Sequence, residues 1–499
     1  MMDRRKALAL LGGTAIGLPL VSAGGAQAAG RVGRALTPVA RRDVGRLRRH
    51  LSSLHAAAVA HGGDRAAGTA GYDASARYVE KVLRRTAFRV ERQYFTYETL
   101  VEVRNVVEQV PAGSRDIRSA PAVGVSLSPA GGHTGELVVP DDAYGDAESS
   151  WEGRDVAGRI ALLKLRHPGA SRMKRERTGC HGDRGKAERL VVERRAGERL
   201  ARDFEETIRR QLSLAGAAGI LAVVYDSGFQ LAVGIQLGEP SDRALIPATC
   251  TVLEDADHLR REMSSGAVEL HVELEVERRE IETFNLLAEM PGSDSTHICG
   301  AHLDSVRGGP GMSDNGSGSA VLLETALKQA ADRRTPWKFC WWGGEEDGMK
   351  GSFHFVDGIR ESADFDRLEA YLNLDMVASP NYVVSVYGDD GLERLFTDHF
   401  RSVGQPWITG PVDTFSDHLP FREAGITVAG VDTVGGAVLR LKTEEEAALF
   451  GGTAGELYDP QYHKAGDDLS NISWEAIAIC VAAGDAACRT VAARPGARA

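Results

Sequence analysis

Only six of the 499 residues are cysteine, too few for the dense disulfide framework that holds small exported domains together. Cys299 and Cys340 lie inside apolar runs that read as strands, the setting of a buried free thiol. Cys480 and Cys488 stand on one expected helix, about 12 Å apart at the helical rise, too far to bridge. An excess of basic charge is also missing: the formal net charge is −11, which leaves no electrostatic footprint for nucleic acid or anionic lipid. Past the first thirty residues no apolar run approaches the roughly 18 that a membrane span needs. No serine stands in Gly-x-Ser-x-Gly and no cysteine-nucleophile signature appears, which argues against serine or cysteine hydrolysis.

What is present begins with Asp3-Arg4-Arg5-Lys6, an apolar run over 7–23 and the small-x-small pattern Ala26-Gln27-Ala28. Residues 1–28 read as an export signal, and the paired arginines point to the twin-arginine route. The mature chain is therefore expected outside the cytoplasm, secreted, with no membrane span.

A chain of this length implies two or three structural units. Over 35–115 the spacing of Leu47, Leu51, Leu54 and Ala58 predicts a helix across 42–60, Asp73 is a candidate N-cap for a helix ending at Leu83, and 90–95 and 103–110 read as strands. Residues 116–282 look different, with short β-rich runs (135–139, 160–165, 220–225, 268–276) enclosing a charged helical stretch over 186–218. They form an expected inserted domain. The alternating signs across 172–210 are those of a solvated helix face, and no ligand-spaced cluster occurs there. From 283 to 495 strands and helices alternate: strands 285–290, 297–302, 337–342 and 369–375, helices 319–331 and from about 352, and a last helix over 473–493 capped by Ser473. Such alternation predicts an α/β fold with a mainly parallel sheet covered by helices on both faces.

The chemistry concentrates at the ends of those strands, where open α/β sheets bind ligands. His302 alone would be an ordinary core histidine. Asp304, two residues on, points the same way along an extended chain and can orient the imidazole. Asp314 sits among glycines and serines with room to bridge two ions. Glu345-Glu346 follows two tryptophans and two glycines; adjacent carboxylates repel and their side chains diverge, so one can hold metal while the other serves as general base. Asp375 and His463 complete enough ligands for two metals, and Tyr462 is placed to donate to an oxyanion.

At these residues the chain resembles the secreted two-zinc aminopeptidases of the leucine-aminopeptidase type, including those of Streptomyces, and their larger relatives such as glutamate carboxypeptidase. The matching phrases are Gly300-Ala301-His302-Leu303-Asp304-Ser305, Gly311-Met312-Ser313-Asp314-Asn315-Gly316-Ser317-Gly318, Trp341-Trp342-Gly343-Gly344-Glu345-Glu346, Leu372-Asn373-Leu374-Asp375-Met376, Ser416-Asp417-His418 and Tyr462-His463. In the insert, Val156-Ala157-Gly158-Arg159-Ile160 and Ala215-Gly216-Ala217-Ala218-Gly219-Ile220 resemble a protease-associated domain. The resemblance implies the phosphorylase/hydrolase-like zinc-exopeptidase fold and two Zn²⁺ per chain, and admits Ca²⁺ as a further ion. One zinc takes His302 and Asp375, the other Glu346 and His463, with Asp314 bridging. Glu345 is then the general base, Tyr462 the oxyanion donor and Asp304 the residue orienting His302, and the Asp314-Asn315 peptide is expected to be cis. The implied activity is removal of N-terminal residues from peptides by a metal-activated water. A carboxypeptidase of the same family, a glutaminyl-cyclase-like enzyme and a catalytically silent, receptor-like relative are the alternatives. Two departures stand out: Gln461 and Gly466 occupy positions where the family often has cysteines, and Asp347 follows the glutamates where an aliphatic residue is usual.

Overall fold

The computed structural model describes residues 38–110, 115–117, 119–121, 131–141, 151–166, 219–225, 248–251, 253–292, 295–332, 335–412, 416–436 and 441–493. The expected export signal over 1–28, the charged stretch 172–210 and the helical stretch 186–218 lie outside the described residues.

The strands His297–His302 and Trp337–Trp342 are buried at nearly every position, as continuous apolar runs are when helices cover both faces. They pair in parallel with Trp342 beside His302, so both deliver their last residues to the same edge. Ala370–Leu374 continues the sheet in parallel on the far side of His297–His302, followed by Thr427–Asp432, again parallel. Antiparallel strands flank this parallel group, with Ser385–Gly388 beside Thr427–Asp432 and Glu269–Glu289 beside Trp337–Trp342. The α/β architecture with a mainly parallel, helix-covered sheet is thus the one the alternation predicts. The Thr427–Asp432 strand is an addition to that expectation. A side chain at Gly430 would collide with the ring of Tyr387, so the close approach of the neighbouring strand demands glycine there.

The expected helix over 42–60 belongs to a longer one, Pro38–Ala60, whose Leu47, Leu51, Leu54 and Ala58 are buried. The next helix, Ala70–Leu83, is capped by Thr69 rather than Asp73: the Thr69 hydroxyl accepts the Tyr72 N–H at 3.2 Å. Asp73 lies in the first turn instead and pairs with Arg92 at 2.6 Å. The two strands expected over 90–95 and 103–110 are one, Arg89–Gln109, paired antiparallel with the whole of Glu269–Glu289. A bulge between Glu102 and Arg104 breaks the alternation and leaves Val103 exposed, which is why the sequence reads as two pieces.

Three tryptophans are fully buried, Trp337 and Trp341 in the largest core and Trp342 in a neighbouring one with Phe355, Tyr371 and Phe421. At about 25 cal/mol per Å² and 150–250 Å² each, each contributes roughly 4–6 kcal/mol before entropy. Each indole N–H is satisfied, by Cys488 O at 3.0 Å, Ser319 O at 3.1 Å and the Tyr371 hydroxyl at 2.9 Å. Cys299, Cys340, Cys480 and Cys488 are buried and free. A smaller core gathers Val107, Ile117, Leu137, Ile160, Leu162, Ala256, Leu259 and Leu270. The strands Arg89–Gln109 and Glu269–Glu289 run unbroken from one core to the other, so the expected border at 282/283 falls inside a strand. No helix among the described residues is long and apolar enough to cross a membrane.

Candidate metal centre

The carboxyl edge of the sheet brings together residues far apart in the chain. His302 ends its strand, and Asp314 lies in the turn Met312–Gly316 that opens the helix Ser317–Gln329. Gly318 lets that helix start against the sheet: a side chain there would overlap the carbonyl of Leu374. Glu345 and Glu346 follow the Trp337–Trp342 strand, and Asp375 follows Ala370–Leu374. His463 comes from the C-terminal part of the chain, in the left-handed region at φ 56°.

His302 Nε2 lies 3.2 Å from Asp314 Oδ1 and 3.4 Å from Asp375 Oδ1. His463 Nε2 lies 3.3 Å from Asp314 Oδ2 and 3.0 Å from Glu346 Oε2. Two nests of three ligands thus share Asp314, which turns one oxygen to each: His302, Asp314 and Asp375 in one, Asp314, Glu346 and His463 in the other. The Asp314-Asn315 peptide is cis. No other group of three such ligands comes together among the described residues.

Whether these residues fit a cation is decided by what they leave unpaired. His302 Nε2, Glu346 Oε1 and Asp375 Oδ1 are buried without a hydrogen-bond partner. Buried polar atoms are ordinarily satisfied; these three belong to the residues of the two nests, and two imidazoles with three carboxylates suit zinc. Electrostatics agrees. Burial raises the carboxyl of Glu346 to about 7, aided by the Asp314 carboxylate. Burial also raises Glu345, with Asp417, Asp375 and Glu346 adding to it. Both histidines are pulled the other way by burial, yet Glu345 and Asp375 hold His302 well above its usual value and Glu346 does the same for His463. Negative charge is concentrated at the two nests, the setting in which a bound cation would displace protons.

Asp304 lies beside the imidazole, His302 Nδ1 meeting its backbone carbonyl at 3.2 Å and its Oδ1 at 3.7 Å. Its carboxylate also accepts the N–H groups of Glu345 and Glu346, both at 3.3 Å, and so holds the glutamate pair in place. Tyr462 stacks on the His463 ring with centroids 3.7 Å apart. Burial, then the carboxylates of Asp314 and Glu346, keep its phenol protonated. Asp347 turns away from the nests, accepting the Tyr97 hydroxyl at 2.5 Å and that of Thr99 at 3.4 Å. The side chain of Gln461 packs directly over Gly466.

Two supporting residues carry no local signal in the sequence. Arg65 is fully buried, and its guanidinium donates to the carbonyls of Leu303, Pro310 and Gly311, tying together the loop between His302 and Asp314. Asp467 accepts the backbone N–H of Ser313 at 2.8 Å and of Asp314 at 3.0 Å, and is itself gripped by Asn471 at 2.9 Å.

A carboxyl-edge site with two acid–histidine nests on such a sheet defines a metal-dependent hydrolase of the α/β class. The chain belongs to peptidase family M28, whose model matches residues 285–485. It is 30% identical to an aminopeptidase of Pseudomonas aeruginosa over 86% of this chain and 77% of that one. It is 32% identical to a probable lipoprotein aminopeptidase of Mycobacterium tuberculosis over 86% of this chain and 81% of the other. In fold it is similar to a zinc aminopeptidase from Bacillus subtilis, with a TM-score of 0.57 at 21% identity, covering 90% of this chain and 95% of that one. The protein is a peptidase, and its substrates are peptides.

Proposed function

We propose that the chain is an exported, dinuclear zinc aminopeptidase that hydrolyses the N-terminal bond of peptides. The observation that carries the metal reading is the placement of Asp314, one oxygen toward each histidine, with unpaired buried atoms on His302, Glu346 and Asp375. His302 and Asp375 would hold one ion, Glu346 and His463 the other, with Asp314 offering an oxygen toward each. Bound there, zinc supplies Lewis acidity that lowers the pKa of water and polarises the scissile carbonyl. Glu345, its pKa raised by burial, takes the proton of the attacking water and passes it to the leaving nitrogen. The protonated phenol of Tyr462 donates to the developing oxyanion. Asp304 fixes the glutamate loop through two backbone N–H groups, so base and ligand keep their spacing.

The choice of peptide end rests on the similarity to named aminopeptidases. The β-rich unit over 116–282 reads as a protease-associated domain, and residues 1–28 as the export signal. The relative of M. tuberculosis, a probable lipoprotein aminopeptidase, supports export. Hydrolysis of aminoacyl anilides with free and with acetylated N-termini tests the activity. Free substrates alone should be cleaved; equal cleavage of both sets overturns the aminopeptidase reading.

A further inference from the structure

Asp347 follows the glutamate pair, departs from the related sequences and has no task in the centre described above. We propose that it is a positioning residue for Glu345: its carboxylate latches the turn that carries the base to the Arg89–Gln109 strand. The inference rests on the reading of Glu345 as general base. The turn is closed on itself. The Glu345 carbonyl accepts the N–H groups of Gly348 and Met349, both at 2.8 Å, and the Gly344 carbonyl accepts that of Lys350 at 2.8 Å. These bonds fix the shape of the turn, whereas its placement against the nests depends on what grips it from outside. Asp304 supplies one grip, accepting the N–H groups of Glu345 and Glu346. Asp347 supplies a second, accepting the Tyr97 hydroxyl at 2.5 Å and the Thr99 hydroxyl at 3.4 Å.

Tyr97 and Thr99 stand two apart on the strand and so share a face, to which Phe95 also belongs. The Phe95 ring stacks on Tyr97, with centroids 5.9 Å apart, and on His354 at 4.9 Å. His354 lies on the helix Lys350–Ile359, into which the turn runs. Gly344, at φ 75°, opens the turn against Tyr97: a Cβ there would stand 3.1 Å from the phenol oxygen. One strand face is therefore laid along the turn and the helix that follows it. An aliphatic side chain at 347 could pack there but would leave both hydroxyls without their acceptor. The carboxylate accepts from both, in charge-assisted bonds stronger than neutral ones. The strand is a firm post for such a latch, because it is paired along its length with Glu269–Glu289 and reaches both cores.

The test compares full-length wild type, Tyr97→Phe, Asp347→Leu, Asp347→Asn and the double variant of Tyr97→Phe with Asp347→Leu. Bound zinc, kcat and KM on an aminoacyl anilide are measured for the loaded proteins, and amide hydrogen exchange over 344–350 for the metal-free ones. Tyr97→Phe and Asp347→Leu are each expected to lower kcat about 10-fold with KM within about twofold and zinc content unchanged, since a displaced base costs turnover rather than binding. The double variant should be no slower than the worse single, because the two residues make one contact. Asp347→Asn keeps an oxygen for the Tyr97 hydroxyl but not the charge, and is expected to recover most of the rate, which separates the latch from the field of the carboxylate. In Tyr97→Phe, exchange over 344–350 should quicken by about 10-fold and stay at the wild-type rate elsewhere. Both singles within about twofold of wild type in kcat overturn the proposal, as do losses that multiply in the double, an Asp347→Asn as slow as Asp347→Leu, or a fall in rate that follows lost zinc. Should Asp347→Leu fail to fold, Tyr97→Phe and Asp347→Asn decide by the same criteria. Glu345→Gln, run alongside, keeps the two readings apart: if it retains its rate, the assignment of the base falls; if it loses its rate while the latch variants do not, only the latch falls.

Discussion

Replacing Asp467 by Asn keeps the shape of a side chain that touches no proposed ligand atom, yet should loosen the whole centre. Asp467 uses Oδ1 for the Ser313 N–H and for Asn471, and Oδ2 for the Asp314 N–H at 3.0 Å. An amide can keep only one of those acceptors, and the least disruptive orientation places its NH₂ where Oδ2 was, donor facing donor. One buried N–H is then orphaned at the residue that serves both nests, at a cost of about 1–3 kcal/mol. If that cost falls on ordering the Asp314 turn for binding, zinc affinity drops by a factor of about 5–150. Because Asp314 is shared, both ions should weaken. Chelator competition with metal-free Asp467→Asn and wild type provides the measurement. Two zinc affinities equal to wild type refute the claim that the turn is held from Asp467.

Glu345→Gln is expected to retain both zinc ions while losing about 10²–10⁴-fold in turnover of an aminoacyl anilide; loss of one zinc instead means that Glu345 and Glu346 have exchanged roles. Glu324, buried within the helix Ser317–Gln329, accepts Arg46 at 2.6 Å and His50 at 2.9 Å, tying the Pro38–Ala60 helix to it. Burial would raise its pKa, but His50 and Arg46 hold it below the usual value. A depressed carboxyl stabilises the fold above its ordinary pKa of about 4.3 and ceases to as pH falls through the folded value. Metal-free Glu324→Gln should therefore be about 1–3 kcal/mol less stable than wild type at pH 7, with the gap in unfolding temperature closing below about pH 4. A gap that stays constant with pH would show that packing, not charge, is what Gln disturbs.

The catalytic half of the fold was legible because its strands are continuous apolar runs that stop at acids and a histidine. His302, Glu345-Glu346 and Asp375 announce themselves at strand ends, and Tyr462-His463 through the order of phrases. What was hidden acts through the backbone. Arg65 works by gripping three carbonyls of the 303–311 loop, and Asp467 by capturing two N–H groups of the Asp314 turn, contacts that leave no spacing to read. Asp304 shows the same limit: its position two residues after His302 suggested a carboxylate beside the imidazole, but not that the same carboxylate would accept the N–H groups of both glutamates. Ser416 stood in a recognisable phrase, but only the register that sets Asn373 beside it shows that its hydroxyl donates to Asp375. The bulge at Val103 divided one strand into two readable pieces for a local steric reason.

The central claim is that two zinc ions share Asp314, and anomalous diffraction at the zinc edge from zinc-loaded crystals tests it most directly. Two peaks are expected, one among His302, Asp314 and Asp375 and the other among Asp314, Glu346 and His463. A single peak, or a pair of which only one touches Asp314, would contradict it.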